Sequence, residues 1–356
     1  MQHIHTSDVD NQWRNVSDTS TLRNLCTAIL RSERDVDDGL WDDLQKQLDA
    51  SFLQSSGWSQ FQASLGVSTY RFHGDGWSAL CLEYQTRAGT YWFVPYGPTA
   101  ISVSAMRQAL QVIKEQAKQT GIHWLRIEPY WPVKDMPAIE PLAAHSPQHL
   151  NPEYSIANDL SEDEATMRGH LSPTKRNLVN RGAKGGIRYE ISTKPEDIAV
   201  FTHMLHVVEK RTGARSHSDE YYRKQAEVLM PTGMLTLAMA LGSEGQPLAT
   251  TVLLHYGGVT SRVYAASYPE ARKLEAGVGL DWYTMIHAKT AGMHLFDFYG
   301  AAAPDVLSTH PFAGFTKYKS EFGGNRIKHG GTWDIPLSVN RYRLYVLLRR
   351  LRRFIK

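Results

Sequence analysis

The chain has 356 residues, of which 42% are hydrophobic and 21% are charged. These values are typical of a globular protein and exclude a low-complexity or disordered chain. No run approaches the ~18 apolar residues that a membrane-spanning helix needs. The length suits two or three ordinary domains, and the polar N-terminus predicts a cytoplasmic protein. Its two cysteines, Cys26 and Cys81, are predicted to be free thiols of a reducing compartment.

The net charge of +3 conceals a strong asymmetry along the chain. Residues 1–50 hold ten acidic and five basic side chains. Residues 168–188 hold six basic side chains and residues 341–356 hold seven, and neither stretch holds an acidic one. Two basic islands favour contact with a polyanion, either RNA phosphate or anionic lipid. A solvated helix face is the alternative for each island.

Hydrophobic periodicity predicts helices followed by a meander of strands in the first half. The predicted elements are helices over 37–48 and 56–65, strands within 69–98, a helix over 103–120, a strand from 123 and a loop or interdomain crossing over 131–152. Ser56 is the predicted cap of the second helix, and Gly121 ends the third.

A similar pattern begins again in the second half. The predicted elements are a strand over 156–160, helices after Ser161 and over 172–184, a strand over 187–191, helices over 195–211 and 218–229, strands over 234–240, 248–256 and 262–267, a helix over 277–292, strands over 295–300 and 333–335, and a helix over 338–356. Ser161 and Glu164 form a predicted capping box. Each half has helices, then antiparallel strands, then a helix and a strand, which is an α+β order.

One late stretch, residues 295–324, carries the candidate chemistry. Its first piece alternates apolar and polar residues, so Asp297 is expected on the opposite face from the two flanking phenylalanines. Lys319 lies between aromatic residues and is followed by paired glycines, which permit a close approach of backbone to a ligand. A lysine in this setting suits a phosphate or a developing oxyanion. An ordinary helix start with a partly buried lysine is the alternative.

Seven short motifs stand in one order along roughly residues 40–336. They are Phe52-Leu-Gln-Ser-x-x-Trp58, Pro95-x-Gly97-Pro98, Arg126-Ile-Glu128-Pro129, Asp159-Leu-Ser, Lys175-Arg176-Asn-Leu-x-Asn-Arg181-x-Ala-Lys184-x-Gly186, Phe296-Asp297-Phe298-x-Gly300 and Tyr318-Lys319-x-x-Phe322-Gly323-Gly324. In this order they resemble the FemABX family, aminoacyl-tRNA-dependent peptidyltransferases that build interpeptide bridges in peptidoglycan. Each motif is short, and it is their shared order that carries the resemblance.

The resemblance implies two GNAT-like (acyl-CoA N-acyltransferase) domains with mostly antiparallel central sheets and a cleft between them. Domain 1 would comprise residues 1–150 plus 316–356 and bind the peptidoglycan precursor, and domain 2 would comprise residues 151–315. No heptad run occurs, so the resemblance is to the compact members that lack a coiled-coil arm.

The implied reaction moves an amino acid from the 3′-ester of aminoacyl-tRNA to a side-chain amine of the stem peptide. An aminoacyl ester is already activated, so positioning and oxyanion stabilisation can supply much of the catalysis. Lys319 matches the family's lysine, which implies contact with the ester oxyanion or a phosphate near the tRNA 3′ end. Tyr318 takes the place of the family's phenylalanine, where it would stack on the terminal adenine. Asp297 would orient other groups or is simply a polar strand residue.

The resemblance also implies binding residues for both substrates. The expected tRNA contacts are Tyr318, Lys175, Arg176, Arg181 and Lys184, and the expected precursor contacts are Trp58, Gln62, Tyr96, Arg211, Tyr221 and Tyr264. Arginine suits a pyrophosphate because of its bidentate geometry. For Tyr221 and Tyr264, packing in the core is the alternative. Two positions depart from the family: Gln62 stands where a lysine is frequent, and Thr99-Ala-Ile follows Gly-Pro where an acid is frequent.

Other chemistries are less well represented. The histidines fit no metal spacing, no serine-nucleophile elbow occurs, and no cofactor is expected. Glu275-Ala-Gly277-Val-Gly279 is similar to the acetyl-CoA pyrophosphate loop of single-domain GNATs, but Leu274 stands where Arg or Gln is usual. A GNAT-type N-acyltransferase that uses acyl-CoA on another amine is therefore the main alternative. A non-enzymatic RNA- or membrane-binding module is the third.

Residues 338–356 alternate apolar side chains with arginines. This basic amphipathic pattern suits peripheral contact with an anionic membrane surface, which would place the protein at the inner face of the cell membrane. Packing on domain 1 and contact with tRNA are the alternatives. The expected partners are thus aminoacyl-tRNA and either UDP-MurNAc-pentapeptide or a lipid-linked precursor.

Overall fold

The structure, a computed structural model, describes residues 37–130, 144–147, 150–184, 186–272, 274–307, 309 and 312–354. In these residues the chain forms two seven-stranded sheets with helices packed on them, which confirms the predicted α+β fold. None of the helices described is both long and apolar enough to cross a membrane. Cys81 is a buried free thiol, whereas Cys26 lies outside the described residues.

The first half begins with helices and continues into its sheet. Its elements are α1 (Asp38–Gln47), α2 (Ser56–Ser64), β1 (Thr69–Gly74), β2 (Trp77–Thr86), β3 (Gly89–Val94), β4 (Thr99–Ala100), α3 (Val103–Gln119), β5 (Trp124–Ile127) and β6 (Ala144–His145). The cap of α2 is Ser55 rather than the predicted Ser56, because the Ser55 hydroxyl accepts the Trp58 amide at 3.0 Å. Ser56 instead hydrogen-bonds Asp42.

The second half repeats the order of helices and strands. Its elements are β7 (Tyr154–Asp159), α4 (Glu164–His170), α5 (Pro173–Lys184), β8 (Arg188–Ser192), α6 (Ile198–Thr212), α7 (Asp219–Leu229), β9 (Leu235–Leu241), β10 (Pro247–Tyr256), β11 (Val259–Ser267), α8 (Ala276–Thr290) and β12 (Leu295–Asp297). The predicted capping box at Ser161 is wrong. Asp163 caps α4, since its carboxylate accepts the Thr166 amide at 2.9 Å.

The last part of the described chain contributes to both sheets. Its elements are α9 (Ala313–Ser320), β13 (Asn325–Lys328), β14 (Trp333–Pro336) and α10 (Val339–Phe354). The strand β13 pairs with β7 of the second sheet, and β14 pairs with β5 and β6 of the first. The chain therefore returns to the first sheet between Lys328 and Trp333. The predicted domain limits stay a prediction.

Each sheet combines antiparallel pairs with one parallel pair among its described strands. The first sheet has the order β1-β2-β3-β5-β14-β6, with β4 on β2, and the second has the order β13-β7-β12-β11-β10-β9-β8. The parallel pairs are β3 with β5 and β11 with β12. Parallel neighbours need a crossover connection, which α3 provides in the first half and α8 in the second. The same arrangement in both halves is the one expected of two GNAT-like units.

Three apolar clusters hold these layers together. One packs α3 on the first sheet, and another packs α8 on the second. The third joins the two halves, with Trp58 and Phe61 of α2 packed in the same cluster as Tyr222 and Leu229 of α7. Because burial of apolar surface is the main favourable contribution to folding, this shared cluster fixes one half against the other. Several of the candidate site residues, Trp58, Tyr96, Tyr221 and Tyr264, lie in that shared cluster.

Candidate active site

Lys319 lies in the last turn of α9, with its ammonium turned toward the loop that follows β12. Its Nζ donates hydrogen bonds to the Tyr299 carbonyl and, at 2.6 Å, to the Gly300 carbonyl. Both acceptor residues have positive φ, 50° and 58° respectively, which is why glycine is suited to the second position. An ammonium has three N–H donors, so a third remains beside the two carbonyls.

The environment of Lys319 lowers the pKa of its ammonium. Burial is the largest cause, followed by the charge of Arg262, and together they bring this pKa to about 8. The charges of Asp297 and Asp281 act in the opposite direction. At neutral pH the side chain is therefore mostly an ammonium, but it titrates far closer to neutrality than an exposed lysine does.

Asp297 ends β12 and lies within electrostatic reach of Lys319. Its neighbours Phe296 and Phe298 are fully buried in the core of the second half, whereas Asp297 is half-buried on the other face. Its Oδ1 accepts the Tyr299 amide at 2.8 Å. Burial raises the pKa of the Asp297 carboxyl to about 6, against the lowering effects of that hydrogen bond and of Lys319. A carboxylate with this pKa can accept a proton near neutral pH.

Tyr318 belongs to a buried network that anchors α9. Its hydroxyl donates to Asp281 at 2.7 Å, and Arg262 donates to the other Asp281 oxygen at 2.6 Å. Asp281 has no exposed surface. Burial and the Asp281 charge raise the pKa of Tyr318 well above its ordinary value. Tyr318 is half-buried, its hydroxyl is bonded to Asp281, and its predicted stacking on an adenine stays a prediction.

Lys175 is largely buried. It lies in the basic helix α5, but only 4% of it is exposed. Its ammonium stands 3.5 Å from the centre of the Tyr318 ring and 3.6 Å from Glu321. Burial lowers its pKa while Glu321 raises it. An aromatic face and a carboxylate thus hold this lysine in place, and its contact with tRNA stays a prediction.

The other predicted tRNA residues of α5 have different surroundings. Arg176 is exposed, and its guanidinium donates to the carbonyls of Gly169 and Leu171 at 2.9 and 3.2 Å. Arg181 is exposed as well. The side chain of Lys184 lies outside the described residues. These arginines keep the basic character of this surface.

The first half contributes aromatic side chains beside the loop after β12, whose carbonyls accept the Lys319 hydrogen bonds. Tyr96 donates its hydroxyl to the Pro152 carbonyl at 2.7 Å, and its ring stacks on His329 at 4.8 Å. Burial, followed by the charges of Tyr299 and Asp297, raises the pKa of Tyr96 well above its ordinary value. The Tyr96 ring also lies 6.2 Å from the Tyr299 ring, whose amide is bonded to Asp297, so Asp297 lies near the junction.

A carboxylate secures the segment that crosses between the halves. Glu128 accepts two hydrogen bonds from Asn151, at 3.1 Å from its amide and 2.6 Å from its side chain, and a third from Thr332 at 2.9 Å. Asn151 in turn accepts the Tyr299 hydroxyl at 3.0 Å. Asn151 is therefore hydrogen-bonded both to Glu128, which follows β5 of the first sheet, and to Tyr299 in the loop after β12.

Trp58, Tyr96, Tyr221 and Tyr264, four of the predicted precursor residues, lie in one aromatic cluster between the halves. Trp58 packs on Phe61 at 5.1 Å, and Phe61 meets the Tyr221 ring at 5.0 Å. Gln62 is buried and accepts the Tyr84 hydroxyl at 3.1 Å. Tyr264 joins the same cluster from β11. Arg211 stands apart from them, exposed in the last turn of α6.

Several residues of the site were missed by sequence reasoning. Glu128 belongs to the motif Arg126-Ile-Glu128-Pro129, but the sequence did not predict its role in joining the halves. Asp281 had a signal, because it is the one acid of an otherwise apolar helix, and buried acids are rare unless paired. Arg262 and His329 had no comparable signal. The His329 ring is buried, which lowers its pKa to about 4, and its Nε2 has no hydrogen-bond partner among the described residues.

The glycine-containing start of α8 does not form an open anion site. Glu275 is the residue before the helix, with φ of 54° and no side-chain capping bond. The Tyr189 hydroxyl packs directly against Gly279, where an added Cβ would lie 1.9 Å from it. Among the described residues, no group of three or more His, Cys, Asp or Glu side chains is arranged to hold a metal ion.

Comparisons with known proteins place this geometry in a structural class. Residues 172–319 match the model of an acetyltransferase (GNAT) domain. The crystal structure of FemX superposes with a TM-score of 0.79 at 15% identity, over 87% of this chain and 98% of FemX. A comparison with curated protein sequences finds no match.

Two other solved structures share the fold. The C-terminal domain of a putative lysylphosphatidylglycerol synthetase from Agrobacterium fabrum gives a TM-score of 0.53 at 15% identity, over 85% of this chain and 95% of that one. A tandem GNAT protein from the clavulanic acid biosynthesis pathway gives a TM-score of 0.51 at 14% identity, over 86% of this chain and 97% of that protein. The chain therefore has a FemABX-like fold of two GNAT-type halves, and the matched acetyltransferase domain supports an acyl-transfer enzyme.

Proposed function

We propose that this protein is a peptidyltransferase that moves an amino acid from aminoacyl-tRNA to the side-chain amine of a peptidoglycan precursor stem peptide. The observation that carries the proposal is Lys319, whose ammonium is fixed by two carbonyls beside Asp297 at the junction of a FemABX-like fold. The fold and the matched acetyltransferase domain support acyl transfer as the class of reaction. The identity of both substrates is the part that we propose.

In the proposed reaction the acceptor amine attacks the carbonyl carbon of the aminoacyl ester. A C–N bond forms, the bond to the ribose 3′-oxygen breaks, and the free 3′-hydroxyl leaves on the tRNA. The third N–H of the Lys319 ammonium stabilises the oxyanion that develops on the ester carbonyl. The Asp297 carboxylate takes the proton that the amine loses, and that proton becomes available to the departing ribose oxygen.

The junction supplies separate surfaces for the two substrates in this scheme. The precursor would bind at the edge of the aromatic cluster that packs the halves together and contains Trp58, Tyr221 and Tyr264, with Tyr96 on the side of the first half. Arg211 and Gln62 remain predicted contacts at its edges. The exposed arginines Arg176 and Arg181 would meet the tRNA backbone, where neutralised phosphates make binding strongly dependent on salt.

An acyl-CoA donor is the alternative that the GNAT domain raises. Two observations favour aminoacyl-tRNA over it. Glu275 stands at the start of α8, where the loop that resembles the CoA pyrophosphate site is found, and a carboxylate repels an anionic ligand. Tyr189 fills the space next to Gly279 at the same place.

The acceptor in this proposal is either UDP-MurNAc-pentapeptide or a lipid-linked precursor, and α10 favours a membrane surface. Its Tyr345 is buried against the first sheet, whereas Leu344, Leu347 and Leu351 are 38%, 54% and 49% exposed. Exposed arginines, including Arg350, lie beside these leucines. An apolar stripe flanked by cations suits the interface of an anionic bilayer.

A transfer assay tests the proposal. The protein is mixed with tRNA charged with radiolabelled amino acids and with UDP-MurNAc-pentapeptide or lipid-linked precursor, and label in the peptide is measured with and without ribonuclease. Ribonuclease-sensitive transfer is the expected result. Turnover of acetyl-CoA on an amine, with no transfer from tRNA to either acceptor, would contradict the proposal and support the alternative.

A further inference from the structure

Tyr299, in the loop after β12, has a left-handed backbone conformation that side chains larger than glycine rarely adopt. Its φ is 50°. A residue in such a conformation persists only where its surroundings hold it, and residues of this kind concentrate at functional sites. The amide, the carbonyl and the hydroxyl of Tyr299 each have a hydrogen-bond partner, and the three partners lie in different segments of the chain.

The backbone of Tyr299 contacts both side chains of the proposed reaction. Its amide donates to Oδ1 of Asp297 at 2.8 Å. Its carbonyl accepts a hydrogen bond from the Lys319 ammonium. A movement of this single residue therefore displaces the donor to the carboxylate and the acceptor of the ammonium together.

The side chain of Tyr299 connects these contacts to the first sheet. Its hydroxyl donates to Asn151 at 3.0 Å, and Asn151 donates from its amide and its side chain to the two oxygens of Glu128. Glu128 directly follows β5, is 3% exposed, and also accepts the Thr332 hydroxyl. Burial, followed by the charge of Tyr264, raises the pKa of the Tyr299 phenol well above its ordinary value, so this hydroxyl keeps its proton and remains a donor at neutral pH.

We propose that Tyr299 is a positioning residue for both Lys319 and Asp297, and that Glu128 holds it in place through Asn151. This inference rests on the proposed function, which supplies the roles of the lysine and the aspartate. It adds that a carboxylate beside the first sheet fixes two groups beside the second. Such fixing matters because a developing charge is best stabilised by groups that already point toward it.

Loosening of Tyr299 has an electrostatic effect of definite sign on each group. Its carbonyl favours the charged form of Lys319, so the pKa of the ammonium should fall when that contact weakens. Burial raises the pKa of Asp297, and the Tyr299 amide is the first of the contacts that lower it, so this pKa should rise. The two limbs of a rate–pH profile should therefore move toward each other. The other groups that face the pair are Arg262 and Asp281 near Lys319, and the phenols of Tyr96 and Tyr130 near Asp297.

Tyr299→Phe removes only the hydroxyl and leaves the ring, the backbone and all of those other groups in place. It is expected to lower kcat for transfer about 2- to 12-fold, the equivalent of one neutral hydrogen bond, with KM unchanged for both substrates and both pH limbs moved inward. Tyr256→Phe is the matched control, because the Tyr256 hydroxyl also joins the two halves, at 2.8 Å from Asp42 of α1. The control should keep the wild-type kcat and pH profile.

Asn151→Ala tests whether the hydroxyl acts through Asn151. The double variant with Tyr299→Phe should lose no more activity than Asn151→Ala alone, because both substitutions break the same chain of hydrogen bonds. Additive losses would overturn the connection to Glu128. An unchanged kcat in Tyr299→Phe, or an equal loss in Tyr256→Phe, would overturn the positioning role while leaving the proposed function intact.

A measurement without substrates separates the two proposals when no transfer is seen. Lysine labelled with ¹³C at Cε reports the protonation of Lys319 by NMR, and the absence of its signal in Lys319→Arg assigns it. In Tyr299→Phe this signal should titrate at lower pH than in the wild-type protein or in Tyr256→Phe. That shift in a protein inactive with aminoacyl-tRNA would support the positioning and contradict only the proposed function. An unchanged titration would overturn the positioning whichever reaction the protein catalyses.

Discussion

Two buried arginine–aspartate pairs anchor a late helix to each half of the molecule. In the first half, Arg126 of β5 donates to both Asp334 oxygens at 2.8 and 2.9 Å. Two tyrosines of α10 complete the pair: Tyr345 accepts from Arg126 at 3.0 Å, and Tyr342 donates to Asp334 at 2.9 Å. All exposed surface is lost from both charged side chains.

The second half uses the same three residue types differently. Arg262 of β11 meets Asp281 through one bond, and Tyr318 of α9 donates to the remaining oxygen. The Arg262 side chain keeps 14% exposure, whereas that of Asp281 keeps none. Both Arg262 and Asp281 influence the pKa of Lys319. The arginine–aspartate–tyrosine arrangement therefore contributes to stability alone in the first half. In the second half it also acts on the charge of the candidate catalytic lysine.

Removal of the aspartate is expected to lower the free energy of unfolding by different amounts in the two pairs. Asp334→Ala leaves Arg126 buried without a counter-charge and is expected to lower the free energy of unfolding by about 3–5 kcal/mol. Asp281→Ala is expected to cost less, because Arg262 retains access to water. Urea unfolding followed by circular dichroism measures both. Equal losses in the two variants would show that the pairs do not differ in this way.

Lys319→Ala is expected to reduce transfer about 10²–10³-fold, as the loss of an oxyanion donor does. The fold should be retained, because the side chain is only half-buried and lies at the end of its helix. Steady-state transfer rates measure the effect, with Lys317→Ala as the matched control. A variant as active as the control would remove Lys319 from the reaction.

Asp297→Asn tests the proposed base at the same junction. The expected loss is about 10²-fold at pH 7, at the lower end for general-base catalysis. Because the raised pKa of Asp297 is about 6, the wild-type rate should fall as pH drops through that value and the carboxylate becomes protonated. The variant should lack this acidic limb. An unchanged limb in a rate–pH profile would assign it to another group.

The alkaline limb should report the coupling between the Asp281 pair and Lys319. Since the Lys319 pKa is about 8, the wild-type rate should fall as pH rises through that value and the ammonium is lost. Asp281→Asn removes a charge that favours the ammonium, so the limb should move to lower pH. Lys319→Arg should move it above the measured range, since arginine stays protonated. Transfer rates between pH 5 and pH 10 would contradict the coupling if Asp281→Asn left the limb in place.

The smallest expected effect concerns the helix that the first pair holds. Leu347→Ser on α10 should weaken sedimentation with anionic phosphatidylglycerol vesicles about fivefold, through the lost burial of one half-exposed leucine. Leu40→Ser is the control, because Leu40 is 63% exposed on α1 and lies outside the stripe. Equal effects of the two substitutions, or equal binding to zwitterionic vesicles, would contradict a membrane role for α10.

Sequence patterns predicted most of the helices and strands, whereas the role of Lys319 stays a prediction. These features depend on local periodicity, on caps and on short motifs, which residues close in the chain determine. The details that failed were also local: Ser55 and Asp163 cap their helices in place of neighbouring residues that have equally suitable side chains. The strand β13 has no alternating apolar pattern and was missed.

Only the tertiary structure decided which of the predicted residues are buried. Lys175 and Tyr318 look like surface contacts in their motifs, but Lys175 is buried against the half-buried Tyr318 ring and near Glu321, and Tyr318 is bonded to Asp281. The sequence contains no record of these partners, because they come from segments far apart in the chain. The pattern of charges in the sequence determined a basic helix and a lysine near the end of α9. Packing determined that Lys319 faces the junction and that Lys175 packs against the neighbouring Tyr318.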